Sequence, residues 1–399
     1  MSRLTLNRLA LALGVVLVAA MVHQSGSQAQ APAKFGDPLT GITPREFEEF
    51  TLGLQDFAEV ESAEEGLGPA FNGTSCAVCH SVPAIGGFGI MTEVRAGRRD
   101  EQGRFAQLSQ GSDSLFQMFS IPSHACQPII PSEANIIARR APIPLFGAGL
   151  VEAIPDETLL ALQDPNDDNR DGVSGRAAVI IDIETGARRV GRFGWKAQHA
   201  TLMSFGADAY RNEMGITNDL FPTELAFGVS PERMRVCDRI PDPEDSLDPS
   251  TKRRGIDNFA SFMKFLGAPP RAAVDDQARA GERVFSEIGC AACHVPALTT
   301  GRSDNPLFDR KVVALFSDLL LHDIGTGDGI DQAAATGAEI RTPSLWGLRE
   351  RRPLLHNGSA PTYDEAIDRH GGEAERVRAA YYALPADRRA ALIAFLLTL

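Results

Sequence analysis

Two pentapeptides concentrate the reactive side chains of this sequence: Cys76-Ala77-Val78-Cys79-His80 and Cys290-Ala291-Ala292-Cys293-His294. Cys-x-x-Cys-His is the attachment pattern of c-type haem. Two thiols one helical turn apart can each form a thioether with a vinyl group, and the next residue brings its imidazole under the iron as proximal ligand. With six cysteines and eight histidines in 399 residues, one chance occurrence is improbable and two are far more so. A thioredoxin-like pair wants a strand-helix-strand context that neither site has. A zinc held by both pairs leaves each following histidine without a role. The reading is two covalently bound haem c groups, one on Cys76, Cys79 and His80, the other on Cys290, Cys293 and His294.

Cys126 and Cys237 remain, an even pair that an oxidising compartment would join as a disulfide, the alternative being two buried free thiols. The N-terminus argues for such a compartment. Arg3 and Arg8 precede an apolar run from Leu9 to Val22 and small residues ending at Ala29, the layout of a signal peptide over residues 1–29. The apolar core is short for a span and no later stretch reaches spanning length, so an exported protein with no stable membrane span is expected. The formal charge of −13 excludes a phosphate-tracking surface, so nucleic acid is not an expected partner.

The elements that must position the pentapeptides repeat. Thr43-Pro44-Arg45-Glu46 is a capping box with proline at the first helical position, and the helix it opens carries Phe47, Phe50, Gly53, Leu54 and Phe57. Asp275 to Ile288 reads as a helix in which Gly281 and Phe285 repeat the Gly53 and Phe57 pair; a small residue there admits a second helix closely. Phe259, Phe262, Met263 and Leu266 make an apolar stripe over 256–266, and Leu392, Phe395, Leu396 and Leu399 make its counterpart at the C-terminus. Each half thus runs apolar helix, Cys-x-x-Cys-His, irregular chain, closing amphipathic helix. That is the order of a cytochrome c domain. The expected fold is mainly α, with two cytochrome c-like domains divided at Gly267-Ala268-Pro269-Pro270. Residues 30–270 form the first, enlarged by loop insertions around Cys126, Pro142 and Pro144, and the acidic Pro241 to Asp248; residues 271–399 form the second.

With these features in hand, the chain resembles the bacterial di-haem oxidoreductases, also called thiol oxidoreductases, which are distant relatives of the di-haem cytochrome c peroxidases. The resemblance rests on Gly66-Leu-Gly-Pro-Ala-Phe-Asn-Gly-Thr-Ser-Cys-Ala-Val-Cys-His80, Gly147-Ala-Gly-Leu-Val-Glu-Ala-Ile-Pro155, Asp171-Gly-Val-Ser-Gly-Arg176 and Gly191-Arg-Phe-Gly-Trp-Lys-Ala197. It continues through Met214-Gly-Ile-Thr-Asn218, Arg341-Thr-Pro-Ser-Leu-Trp-Gly-Leu348, Leu355-His-Asn-Gly358 and Tyr363-Asp-Glu-Ala-Ile367. The resemblance implies a distal ligand beyond a His-x-Gly loop, which falls on His370, with His356 as the other choice and His322 also available. Relatives often have Met there, and His in its place lowers the reduction potential. For the first haem, Ala96 stands where the peroxidases keep a distal His. Met91, His124 and His199 are further candidates, and the expectation is an open or displaceable sixth position at which substrate reacts.

An open iron that cleaves an O–O bond needs a proton-moving group nearby. Glu152, set in the apolar run 149–154, is one candidate, and Lys196 and His199, which follow Trp195, are the others; each has a structural alternative, such as pairing for Glu152 or exposure for Lys196. Trp195 and Trp346 are the only indoles; either could relay electrons between haems or simply pack. Asp167, Asn169 and Asp171 before Gly172 resemble the front half of a Ca²⁺ loop, though Ala178 occupies the place of the closing acid, and a solvated turn is the alternative. The reading that follows is a periplasmic di-haem enzyme of peroxidase type, with peroxide as oxidant at the first haem and a small redox protein as electron partner. A plain electron carrier and an oxygenase acting on an organic substrate are the alternatives.

Overall fold

Thr43 starts the first helix as the sequence predicts: its Oγ1 accepts the Glu46 N–H at 3.3 Å and Glu46 Oε2 accepts the Thr43 N–H at 2.8 Å. The computed structural model describes residues 33–108 and 114–399; the signal peptide expected over 1–29 lies outside the described residues. The fold is mainly helical. The α-helices are α1 Pro44–Ala58, α2 Ala148–Glu152, α3 Asp156–Leu162, α4 Leu202–Met214, α5 Pro231–Cys237, α6 Gly255–Phe265, α7 Asp276–Glu287, α8 Tyr363–Asp368, α9 Glu375–Ala383 and α10 Ala386–Leu396. None of the described helices is long and apolar enough to cross a membrane.

Two crossed helix pairs dominate. α1 packs on α6, and α7 packs on α10. Each crossing turns on a glycine: a Cβ at Gly53 would run into the Asn258 carbonyl, and one at Gly281 into the Ala391 carbonyl. The aromatic repeat completes both crossings. Phe57 lies 4.8 Å from Phe262 between ring centroids, and Phe285 lies 5.2 Å from Phe395. Each then reaches its pentapeptide, Phe57 at 6.1 Å from the His80 ring and Phe285 at 6.4 Å from that of His294. Both Cys-x-x-Cys segments form single 3₁₀ turns, Cys76–Val78 and Cys290–Ala292. Phe47 differs from the rest of its helix stripe by remaining half exposed.

The enlarged first half contains strands that the sequence reading leaves as loop. Glu93–Arg99 pairs antiparallel with Phe105–Ala106, Leu115–Phe116 and Ile136–Arg140, with Glu93 opposite Arg140. Cys126 and Cys237 are disulfide-bonded with Cα atoms 5.7 Å apart, joining the turn after Pro122–His124 to the end of α5. No regular element occupies 267–275. The larger apolar core nonetheless gathers Phe57, Phe259 and Phe262 together with Leu298, Leu315 and Leu320. A second core, around Phe285, Phe316 and Phe395, lies wholly beyond residue 270. Lys34–Leu399 forms one compact unit.

Candidate functional site

Above each pentapeptide lies a cavity. The first encloses ≈ 1260 Å³ of empty space, part of it open to solvent, between the Cys76–His80 turn, the sheet and α4. His80 is fixed by its own loop: Nδ1 sits 3.0 Å from the Gly87 carbonyl, which can only accept, so Nδ1 donates and Nε2 keeps its lone pair. Burial pulls the His80 pKa down, so the ring is neutral, the form that binds a metal. Burial pushes Cys76 and Cys79 up to about 12, which keeps both as thiols at neutral pH. The same holds for Cys290. Such thiols are poor nucleophiles for disulfide exchange.

The opposite wall of this cavity is charged. Glu93 and Arg95 alternate on one face of their strand, with Arg140 beside them on the neighbouring strand. Arg95 Nε donates to Glu93 Oε1 at 2.7 Å, and Arg140 Nη1 lies 3.9 Å from the same oxygen. α4 adds Asp208, Asn212 and Glu213 from one helical face. Glu213 Oε2 accepts the Asn72 amide at 2.8 Å. Burial first, then the charge of Glu93 and the hydrogen bond with it, raises the Glu213 pKa well above the usual carboxylate range. Glu213 is therefore the carboxyl of this wall that keeps its proton. His80 is the only imidazole on the described wall; Met91, Met118, Met214 and Met263 also face the cavity.

The second cavity holds ≈ 1350 Å³ of empty space, part of it open to solvent, and is lined by four histidines, His294, His322, His356 and His370. His294 Nδ1 is 3.1 Å from the Phe316 carbonyl and His370 Nδ1 is 2.7 Å from the Ala366 carbonyl. Both rings thus repeat the His80 arrangement, with Nδ1 donating to backbone and Nε2 free. Burial, with the nearby His370, pulls His294 down to about 4. His322 is different. Burial opposes its charge, yet Asp318 at 2.8 Å from Nε2 and Glu373 at 2.8 Å from Nδ1, with Cys293, prevail and hold it up at about 12. Both of its nitrogens carry protons, so it offers no lone pair to a metal. The ring of His356 packs edge-on against Trp195 at 6.0 Å.

Arg341 and Arg351 also line the second cavity, buried, and pulled down to about 10 by burial. Their bonds run to backbone oxygens, Gly194 at 2.8 Å and Thr342 at 2.9 Å for Arg341, Leu355 at 3.5 Å for Arg351. Neither has a carboxylate partner among the described residues. On the first cavity's wall, Arg140 is ion-paired through Nε to Asp328 at 2.7 Å, while its Nη2 is buried without a hydrogen-bond partner. Arg341 and Arg351, facing the largely apolar second cavity, suit the acidic edge of a tetrapyrrole. With paired thiols and a fixed imidazole beneath each cavity, the donor set could hold one haem in each.

Trp195 touches both cavities. Its Nε1–H donates to the Ala141 carbonyl at 2.8 Å, and the Arg351 guanidinium lies 5.1 Å from the ring centroid. Trp346 does not share this position; it packs on Gly147 within the larger core. The structure does not bring Glu152 or Lys196 to either cavity wall. Glu152 Oε1 accepts the N–H of Leu202, the first residue of α4, at 2.7 Å, and burial raises its pKa. Lys196 is fully buried, with Nζ bonded to Asp328 at 3.0 Å and to the carbonyls of Thr336 at 2.9 Å and Glu339 at 2.6 Å. Burial draws it down to about 8, against the pull of Asp328. Three acceptors engage its three protons.

His199 and His124 also stand off the first cavity's wall, His199 with Nε2 3.1 Å from Asp208. Asp167, Asn169 and Asp171 lie in an exposed turn and bond within it: Asp167 Oδ1 accepts the Gly172 N–H at 3.1 Å, Asn169 Oδ1 that of Asp171 at 2.8 Å, and Asp171 Oδ1 that of Val173 at 2.8 Å. The cavity groups that sequence reasoning passes over are Glu93, Arg95, Arg140, Glu213, Arg341 and Arg351. Glu213 and Arg341 do sit at the edges of blocks already singled out, Met214–Asn218 and Arg341–Leu348.

The family described as "Di-haem oxidoreductase, putative peroxidase" matches residues 130–399. No curated protein sequence matches the chain. Among solved structures, the chain is similar to hydrazine synthase from Kuenenia stuttgartiensis at 16% identity, over 94% of this chain and 97% of that one, with a TM-score of 0.40. It is similar at 16% identity and TM-score 0.40 to a MauG-like protein associated with microbial copper homeostasis, over 93% of this chain and 94% of that one. The diheme peroxidase BthA from Burkholderia thailandensis aligns over 88% of this chain and 86% of that one, again at 16% identity and TM-score 0.40.

Proposed function

We propose, from the premise that this chain belongs to the di-haem oxidoreductase family, that it is an exported peroxidase-type enzyme reacting at the His80 cavity and fed through the His294 cavity. Haem c bound at each cavity would supply one-electron iron chemistry, and at the His80 cavity would be the group that meets the oxidant. The observation that carries the reading is the asymmetry of the walls. His370 offers a free Nε2 across from His294, whereas the wall across from His80 offers a protonated carboxyl.

Cys76 and Cys79, and Cys290 and Cys293, would attach the two haems as thioethers; His80 and His294 would hold the irons from the attachment side, and His370, with its free Nε2, would supply the second haem's other protein nitrogen. Arg341 and Arg351 would receive the acidic edge of the second haem. Reduction of peroxide to two waters consumes two electrons and two protons. Glu213 holds a proton on the wall that a small oxidant meets, beside the Arg95–Glu93 ion pair. Trp195, its N–H anchored to Ala141, fills the partition between the cavities and is the bridging group for electrons. The electron donor is a small redox protein. The disulfide supports an oxidising compartment, the periplasm, as the site of action.

Low-temperature electron paramagnetic resonance on the mature holoprotein, oxidised and then half-reduced, tests this reading. One low-spin haem and one high-spin haem in at least one state are expected, with peroxide consumed by the half-reduced form. Two low-spin haems in both states would leave a two-haem electron carrier.

A further inference from the structure

Away from both cavities, three carboxylates converge in the enlarged part of the first half. One oxygen each of Glu224, Asp242 and Glu244 lies within 4.8 Å of the others. Glu224 is 6% exposed. Its Oε1 accepts the Leu225 N–H at 3.2 Å, while its Oε2 is buried and has no hydrogen-bond partner. Glu244 Oε2 takes the Thr217 N–H at 2.6 Å and lies 3.1 Å from the Thr217 hydroxyl, which lies 2.7 Å from Asp242 Oδ1. That hydroxyl has one hydrogen to give, so the cluster is short of donors. The charges that bear on Glu224 and Glu244 are also acidic, Glu244 and then Asp238 on Glu224, and Asp238 and then Asp242 on Glu244.

A buried carboxylate with one oxygen lacking a partner, in a cluster with two more carboxylates, is costly to fold around unless a cation completes the set. We propose that Glu224, Asp242 and Glu244 form a divalent-cation site of the calcium class. Oxygens held at about 2.4 Å around Ca²⁺ stand no more than about 4.8 Å apart, a separation that the three oxygens here do not exceed. The donors are all hard oxygens, which disfavours zinc and copper. Asp242 is exposed and gives the ion access from solvent. The site ties the acidic segment to Thr217, three residues past the end of α4, whose Glu213 and Met214 line the first cavity. The disulfide at Cys237 secures the other end of that segment. The inference is independent of the reaction assigned to the haems.

The test uses full-length holoprotein stripped with a chelator, titrated calorimetrically with CaCl₂ and then with MgCl₂, with bound metal counted by mass spectrometry. One Ca²⁺ per chain and a raised unfolding temperature are expected, with Mg²⁺ bound more weakly. E224Q and D242N each weaken Ca²⁺ binding at least about tenfold, and D167N/D171N leaves it unchanged. D242N alters an exposed side chain and so reports on the site even where E224Q misfolds. No Ca²⁺ binding by stripped wild type, unchanged binding in D242N, or loss of binding in D167N/D171N instead, overturns the proposal.

Discussion

The two cavities rest on the same local frame and differ in what faces it. Beneath each lie a glycine-centred helix crossing, a phenylalanine, a 3₁₀ turn with two thiols, and an imidazole whose Nδ1 is committed to a backbone carbonyl. The wall across the first is supplied by a sheet and by α4, and carries Glu93, Arg95, Arg140 and Glu213. The wall across the second is supplied by the segments around α8 and the turn at 341–356, and carries His370, His356 and two buried arginines. A duplicated frame can thus be given two tasks by changing only the distal wall. Ligand-capable nitrogen suits a haem that passes electrons; protonated oxygen suits one that does chemistry.

That contrast can be sharpened or broken by substitution. The largest effect is expected from E213Q, which removes the proton held on the first wall. Peroxide turnover should fall by about 10²- to 10⁴-fold, with haem content by pyridine haemochrome unchanged. The wild type should lose activity on the alkaline side, as pH rises through the raised Glu213 pKa, and E213Q should lose that limb. Stability follows the same sign: a carboxyl raised in the fold favours the native state at low pH, and that contribution is lost as pH rises through the folded value. A turnover in E213Q within twofold of wild type would remove the acid role of this wall. Next in size, H370A should make the second cavity resemble the first, so that cyanide binds two haems per chain where the wild type binds one. Unchanged cyanide stoichiometry would point to His356 as the ligand. The smallest effect belongs to E152Q, which weakens the cap on α4 at about 1 kcal/mol of stability and leaves turnover unchanged; a turnover loss comparable to E213Q would restore Glu152 as a catalytic candidate.

Local sequence foreshadows the frame because short-range patterns encode it. The stripes at 256–266 and 392–399, and the Gly53/Phe57 and Gly281/Phe285 pairs, each specify one face of one helix, and those faces meet in the structure. The distal walls are not local. Glu93 and Glu213 stand 120 positions apart and meet only because a strand and a helix end close on one cavity. The strand itself is arginine-rich and two-faced, and reads as loop. Lys196 shows the opposite failure: it follows Trp195 directly, but the turn sends the indole to the cavity and the ammonium to Asp328. Glu152 looks isolated in an apolar run only because its partner, the Leu202 N–H, lies 50 residues on. The Asp167–Asp171 turn has calcium-like spacing, yet its oxygens accept from its own backbone.

The disulfide carries a consequence for how the chain is made. Its two sulfurs are 111 positions apart, while each Cys-x-x-Cys pair is separated by only two residues. Short loops close at the smallest entropic cost, so in an oxidising compartment the nascent chain meets a kinetic race in which the neighbouring thiols join first. A pair joined in that way has no sulfhydryl left for a vinyl group. Maturation on the proposed route therefore depends on a reductant that reopens Cys76–Cys79 and Cys290–Cys293 ahead of haem delivery. Once folding has buried Cys126 and Cys237, at 1% and 0% exposure, the same reductant can no longer reach the bond that should stay.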